Sequence, residues 1–183
     1  MKIIELKRVR ESDLEIIMNW RSSRKISKYL ITEVSRDMDQ QKKWFDEKVR
    51  NKFPPEHWVI FLNKIPIGFI SMENYIEKVK TSWGYYIGEK KYWHIGGLIS
   101  AYFYNYIFFK RDKHLKKITG HYFSDHFKIR KLHQFYGCIE TEVLSNHVEK
   151  DGVMHDIILM EMRKDVWLSK QDKFKSYIAD FEE

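Results

Sequence analysis

Apolar residues recur along this chain at two periods, and each change of period marks a new element. Residues 2–9 alternate apolar and charged positions, the period-two signature of a first strand. Ser12-Asp13-Leu14-Glu15 then reads as a capping box opening a helix to about Trp20. Ser35 or Asp37 would cap a second helix, in which Met38, Trp44, Phe45 and Val49 fall at helical spacing and which stops before Pro54-Pro55. From here the period becomes two. Residues 58–62 and 65–72 are β-rich runs joined by a tight hairpin at Asn63-Lys64, and residues 81–87 form a third, aromatic run.

The second half alternates strands with helices. A polar loop, Gly88-Glu89-Lys90-Lys91, leads through Trp93-His94-Ile95-Gly96-Gly97 into an apolar helix over residues 98–109. Residues 117–123 predict a strand and residues 127–136 a short helix. Residues 138–148 and 153–162 predict a final hairpin turning at Glu149-Lys150-Asp151-Gly152, and the tail from Lys164 reads as helical. Antiparallel strands first, then β-α-β-α-β-β, predict an α/β (α+β) sandwich around a central mixed sheet. No repeat, low-complexity stretch or Gly/Pro-rich linker interrupts it, so the expectation is one domain over 1–168 with a helical tail over 169–183.

Composition narrows the classes. With 183 residues, 43% hydrophobic and 16% aromatic, the chain has the material for one packed core. Residues 98–109 are too short to span a bilayer and include Ser100 and Asn105, so no membrane partner is expected. A single cysteine, Cys138, excludes an intrachain disulfide framework, and residues 1–10 lack a signal-peptide pattern, so a cytoplasmic location is expected. The 33 Lys and Arg against 26 Asp and Glu give a net charge of +7, which favours acidic ligands. These cations are scattered rather than in a block, which favours a phosphate-bearing small molecule over nucleic acid.

The glycine pair is the first sign of chemistry. Glycines at a strand-to-helix junction let a ligand approach the backbone, and the first amides of a helix lack intrahelical partners, so Ile95, Gly96, Gly97 and Leu98 could hold a pyrophosphate. A Gly-Gly that merely turns the chain is the competing reading. The lysine and Ser/Thr of a P-loop are missing here, as are the spaced glycines of a dinucleotide fold after the first strand.

Residues 84–88 followed by 93–97 resemble the coenzyme A pyrophosphate motif of GNAT acetyltransferases, with Gly96 at the central glycine, Trp93 at the usual Gln/Arg and Leu98 at the last small position. Ser124-Asp125-His126, the helix after it and Gly137-Cys138 are similar to the family's Asn-x-x-Ser-helix-Gly-Phe block, with His126 in place of the asparagine and Ile129 in place of the serine. Residues 142–167 resemble the final hairpin of the branch containing ribosomal-protein and amino-sugar acetyltransferases, and the likeness runs over residues 2–168. Asn19-Trp20-Arg21, Trp44-Phe45, residues 67–70 and 84–87 look like the enzymes that acetylate a UDP-linked 4-amino sugar on the way to pseudaminic acid.

The resemblance implies an N-acetyltransferase using acetyl-CoA, with no metal, acting on a small amine. Its sheet is splayed between strands 4 and 5, so that the pantetheine arm pairs with the backbone of Tyr86 and Ile87. Cofactor contacts would then come from Tyr86, Ile87, Ile95, Gly96, Gly97, Leu98 and His126. Alignment on Gly137 puts His133 where the family places the tyrosine that protonates the leaving thiolate, with a buried helix histidine as the alternative. The family's glutamate two before Gly84 is here Ser82, which could orient water. Glu73 and His121 are further candidates for the base, against an ion pair and packing respectively. Trp83, Tyr85 and Tyr86 could line the acceptor cleft or fill core, and Arg21 could pair with a substrate phosphate or with a surface carboxylate. An N-terminal protein acetyltransferase and a non-catalytic coenzyme A binder are the alternatives, and the oligomeric state, a homodimer included, stays open.

Overall fold

In the computed structural model, residues 4–32 and 36–183 are described. The elements are β1 (Ile4–Arg8), α1 (Leu14–Ser22), α2 (Arg24–Ser27), α3 (Met38–Phe45), β2 (His57–Leu62), β3 (Ile65–Ile76), β4 (Lys80–Ile87), α4 (Gly96–Tyr106), β5 (Lys117–Phe123), α5 (Phe127–Tyr136), β6 (Ile139–Lys150), β7 (Val153–Arg163), α6 (Lys164–Ser169), α7 (Gln171–Phe174) and β8 (Asp180–Phe181). The strands hydrogen-bond in the order β6-β7-β5-β4-β3-β2-β1-β8, giving the mixed sheet with flanking helices that the period changes predict. No helix among the described residues is long and apolar enough to cross a membrane.

The chain forms two compact units. The first comprises Met1–Glu73, Gly84–Gly96 and Ala179–Glu183, and the second Asn74–Trp83 and Gly97–Ile178. In the first, β2 and β3 form the expected hairpin, and Asn63 (φ 50°) and Lys64 (φ 67°) both adopt the left-handed conformation that a two-residue turn matching strand twist requires. One face of this hairpin buries Val59 and Phe69 against Leu14, Ile17 and Trp20 of α1 and Phe45 of α3. In the second, β5 pairs antiparallel with β7, and β7 with β6. Its core stacks Trp83 on Phe103 with centroids 4.6 Å apart, and gathers Tyr104, Tyr136, Trp167 and Phe174 in edge and stacked contacts.

Two local expectations are corrected, and one pair of alternatives is decided. The first helix is entered through a 3-10 turn, Glu11–Asp13, and the Asp13 carboxylate accepts the Arg10 amide at 2.8 Å, so the box lies at Arg10–Asp13 and not at Ser12–Glu15. At the second helix Asp37 is the cap, accepting from the amides of Asp39 and Gln40, and Ser35 lies outside the described residues. The tail is helical only as far as Phe174. Asp180 and Phe181 add a parallel strand beside β1, and the Glu182 carboxylate takes the Arg10 guanidinium at 2.9 Å. One apolar contact and one hydrogen bond fix that strand: Phe181 is buried edge-on against Trp58, whose indole donates to the Glu182 carbonyl.

Candidate active site

In the first unit the end of α1 is docked on the end of β4. Gly88 makes this possible, because a Cβ there would overlap the Trp20 ring. The Trp20 indole also donates to the Glu89 carboxylate at 2.8 Å, while the amides of Gly88 and Glu89 both donate to the Ile67 carbonyl. This docking brings Arg21, in the last turn of α1, to the neighbourhood of Tyr86. The Tyr86 ring stacks on Phe69 (5.6 Å), and Phe69 lies 6.1 Å from His57 and 6.3 Å from Trp44.

Arg21 Nε, Tyr86 Oη and His57 Nδ1 are each buried and have no hydrogen-bond partner among the described residues, although Arg21 Nη2 donates to Thr32 Oγ1 at 2.8 Å. Burial raises the Tyr86 phenol above its ordinary range, against a smaller lowering by the Arg21 charge, so the hydroxyl is a neutral donor. Burial, then the Lys52 charge, lowers His57 to about 4, so its ring is neutral at pH 7. His57 was not legible as a site residue, because only the pairing of β2 with β3 turns it onto this face, opposite Ser71.

The donor side of the expected site is β4 and the loop after it. The parallel ladder of β4 with β5 comprises Lys80–Lys117, Thr81–Ile118 and Ser82–Thr119, and β4 runs five residues past its last rung, to Ile87. Gly84 faces open space, with nothing within 4 Å of an added Cβ. The loop then differs from the expected cradle. A 3-10 helix, Lys90–Ile95, runs directly into α4, and the Gly96 amide donates to the Trp93 carbonyl instead of standing unpaired. Ile95 is buried, Tyr85 Oη donates to the Gly96 carbonyl at 2.9 Å, and the Trp93 indole donates to the Ile87 carbonyl at 2.9 Å. Tyr85 is thus a brace for the loop, and one of the two backbone positions expected to meet the pantetheine arm is capped by the chain itself. Gly97 and Leu98 fall in the first turn of α4, and Leu98 is exposed.

In the second unit His133 is 6% exposed, stacked on Tyr122 (5.5 Å) and edge-on to Trp83 (6.5 Å). Its Nδ1 lies 3.9 Å from Cys138 Sγ. Burial, then the His126 charge, lowers its pKa to about 4, so it carries no imidazolium at pH 7 and is a poor proton donor to a thiolate. Trp83, 7% exposed and stacked on Phe103, fills core and does not line a cleft. Ser82 Oγ accepts from Asn74 Nδ2 at 3.2 Å, and His126 stands at the head of α5. Tyr136, unmarked in the sequence reading, donates to the Gly97 carbonyl at 2.7 Å and ties α5 to the start of α4. Glu73, in the first unit, is exposed and accepts from Ser71 Oγ at 3.5 Å, and His121 is exposed on β5.

The fourth strand continues past its parallel ladder with the fifth and feeds a loop entering a glycine-headed helix, the arrangement expected of a coenzyme A-dependent acyltransferase. The chain belongs to the GNAT acetyltransferases: the family described as acetyltransferase (GNAT) domain matches residues 4–139. It is an acyltransferase enzyme. Among solved structures it is similar to spermidine N-acetyltransferase from Vibrio cholerae in complex with CoA and spermine, with 19% identity, a TM-score of 0.76, and coverage of 90% of this chain and 98% of that one. It is also similar to an acetyltransferase of the GNAT family from Bacillus anthracis, with 13% identity, a TM-score of 0.70, and coverage of 90% and 99%. At these identities the likeness is one of fold. Among proteins of curated function none matches the sequence.

Proposed function

We propose that this N-acetyltransferase carries the acetyl group of acetyl-CoA to the primary amine of a small acidic acceptor, a UDP-linked 4-amino sugar being the candidate. The observation that carries the donor half is the run of β4 beyond its ladder with β5, past the open Gly84, into the loop that ends at Gly96. A pantetheine arm is amide-rich and extended, so it can add to a strand as another strand would. The backbone of Tyr86 and Ile87 meets it there. The pyrophosphate is received by the loop that ends at Gly96, aided by the cations Lys90 and Lys91. The V. cholerae relative, which holds CoA in the same fold, supports this reading.

The acceptor half rests on charge. A net +7, with Arg21 beside the wall of Trp44, Phe69 and Tyr86, suits an acceptor bearing phosphate and repels a polyammonium chain. In the reaction the amine attacks as its neutral form: a nitrogen–carbon bond forms at the thioester carbonyl, the carbon–sulfur bond breaks, and the ammonium proton leaves to a base. Exposed Glu73 is suited to take that proton through water, and Ser82 to hold a water by hydrogen bonding. With His133 neutral, the departing thiolate is protonated by solvent. Calorimetry with acetyl-CoA tests the donor site. At Gly96 a Cβ meets only Ile87 Cγ1, at 3.3 Å, so Gly96→Ala should bind and Gly96→Glu should not. Equal binding by both variants, with both folded by circular dichroism, moves the donor away from this loop.

A further inference from the structure

We infer that the Tyr86 hydroxyl and the Arg21 guanidinium act together as a two-donor receptor for an anionic oxygen of the acceptor, so that the Tyr86 side chain sets acceptor specificity. The inference rests on reading this face of the first unit as the acceptor side.

Three observations converge on it. First, both groups keep an enclosed polar atom, Tyr86 Oη and Arg21 Nε, with no partner among the described residues, although burying a donor unpaired is costly and native structures pair nearly all of them. Second, the two groups belong to elements that are docked on one another. Trp20 docks over Gly88 and bonds Glu89, which holds the last turn of α1 against the end of β4, and the Arg21 charge acts on the Tyr86 phenol. Third, both groups are donors. A neutral phenol offers one O–H, and a guanidinium offers N–H groups in a fixed fork and no acceptor. Their joint complement is an oxygen carrying negative charge, as in a phosphate or carboxylate; a cationic amine could donate to the phenol oxygen but is repelled by the Arg21 charge and leaves its N–H unpaired.

The rest of the surroundings explains why the hydroxyl is not fixed for folding alone. The Tyr86 ring is held by its stack on Phe69, which a phenylalanine would keep, and the strand is held by backbone bonds. The hydroxyl therefore adds nothing to the packing and detracts from stability until an acceptor completes it. That combination is a specificity group maintained at the expense of the fold.

The test is Tyr86→Phe, with Arg21→Ala beside it, assayed on UDP-linked amino sugars, free amino acids and spermidine. Tyr86→Phe is expected to raise the melting temperature by about 2–4 °C, because it deletes an unpaired buried hydroxyl. It should also raise KM for the best anionic acceptor about tenfold. KM for acetyl-CoA should change less than twofold. A fall in melting temperature with an unchanged acceptor KM overturns the inference, as does spermidine outperforming every anionic acceptor. Preference for free amino acids over UDP-linked sugars, with the Tyr86 effect intact, keeps the receptor on a carboxylate and removes only the nucleotide-sugar reading.

Discussion

The Trp93 indole nitrogen lies 2.9 Å from the Ile87 carbonyl oxygen, so the last carbonyl of β4 is capped by a side chain that is itself 42% exposed. A donor arm pairing with that carbonyl must first displace the indole. Such a hydrogen bond is worth about 0.5–1.5 kcal/mol, so Trp93→Phe should bind acetyl-CoA roughly two- to tenfold more tightly. Calorimetry reads this directly, and weaker or unchanged affinity means that the arm does not use Ile87.

His57 and His133 make the fold sensitive to acid. Each is near 4 in the folded protein, against an ordinary 6.5, so the unfolded chain binds more protons between these values. Their contribution is complete above pH 6.5 and is lost as pH falls toward 4, by up to about 3 kcal/mol for each group. Urea denaturation at pH 7 and pH 4.5 should show this loss, and replacing both histidines with leucine should flatten it. An unchanged slope in the double variant places the acid sensitivity in the carboxylates.

His133→Phe should leave turnover within a few-fold of the wild type, since a buried imidazole beside Tyr122 and Cys138 is not an imidazolium at pH 7 and is a poor general acid. A general acid is worth about a hundredfold or more. Single-turnover kinetics showing a loss of that size, in a variant with normal circular dichroism, would restore the histidine to the reaction.

Gly88→Ala should destabilise the first unit by about 1–3 kcal/mol, because the added methyl displaces the Trp20 ring and its bond to Glu89. The same change should raise KM for the acceptor, since Arg21 sits one residue along α1. Chemical denaturation checks the first effect and steady-state kinetics the second.

Much of the fold is legible because period and turn chemistry agree. Residues 117–123 and 127–136 are strand and helix in both readings, and Asn63-Lys64 is a turn because no apolar residue competes for it. The 3-10 helix over Lys90–Ile95 is not legible: its hydrogen bonds follow from the docking of Trp93 on Ile87 and of Tyr85 on Gly96, contacts between residues six and eleven apart. The strand Asp180–Phe181 is too short to show alternation, and its position depends on the distant Trp58. At the site, the glycine-headed helix and Arg21 stand out by residue type. Tyr86 as a donor and His57 as a neutral ring do not, because burial and missing partners are properties of the packing of α1, β2, β3 and β4 together.

Acetyl transfer from acetyl-CoA to an acidic amine is read by coenzyme A release followed with mass detection of the acetylated acceptor. Thiol should be released in equal amount to an acetylated UDP-linked amino sugar, at rates above those for spermidine and N-terminal peptides, and Gly96→Glu should release none. Tight binding of acetyl-CoA, with neither free thiol nor acetylated product from any of the three classes, would contradict it.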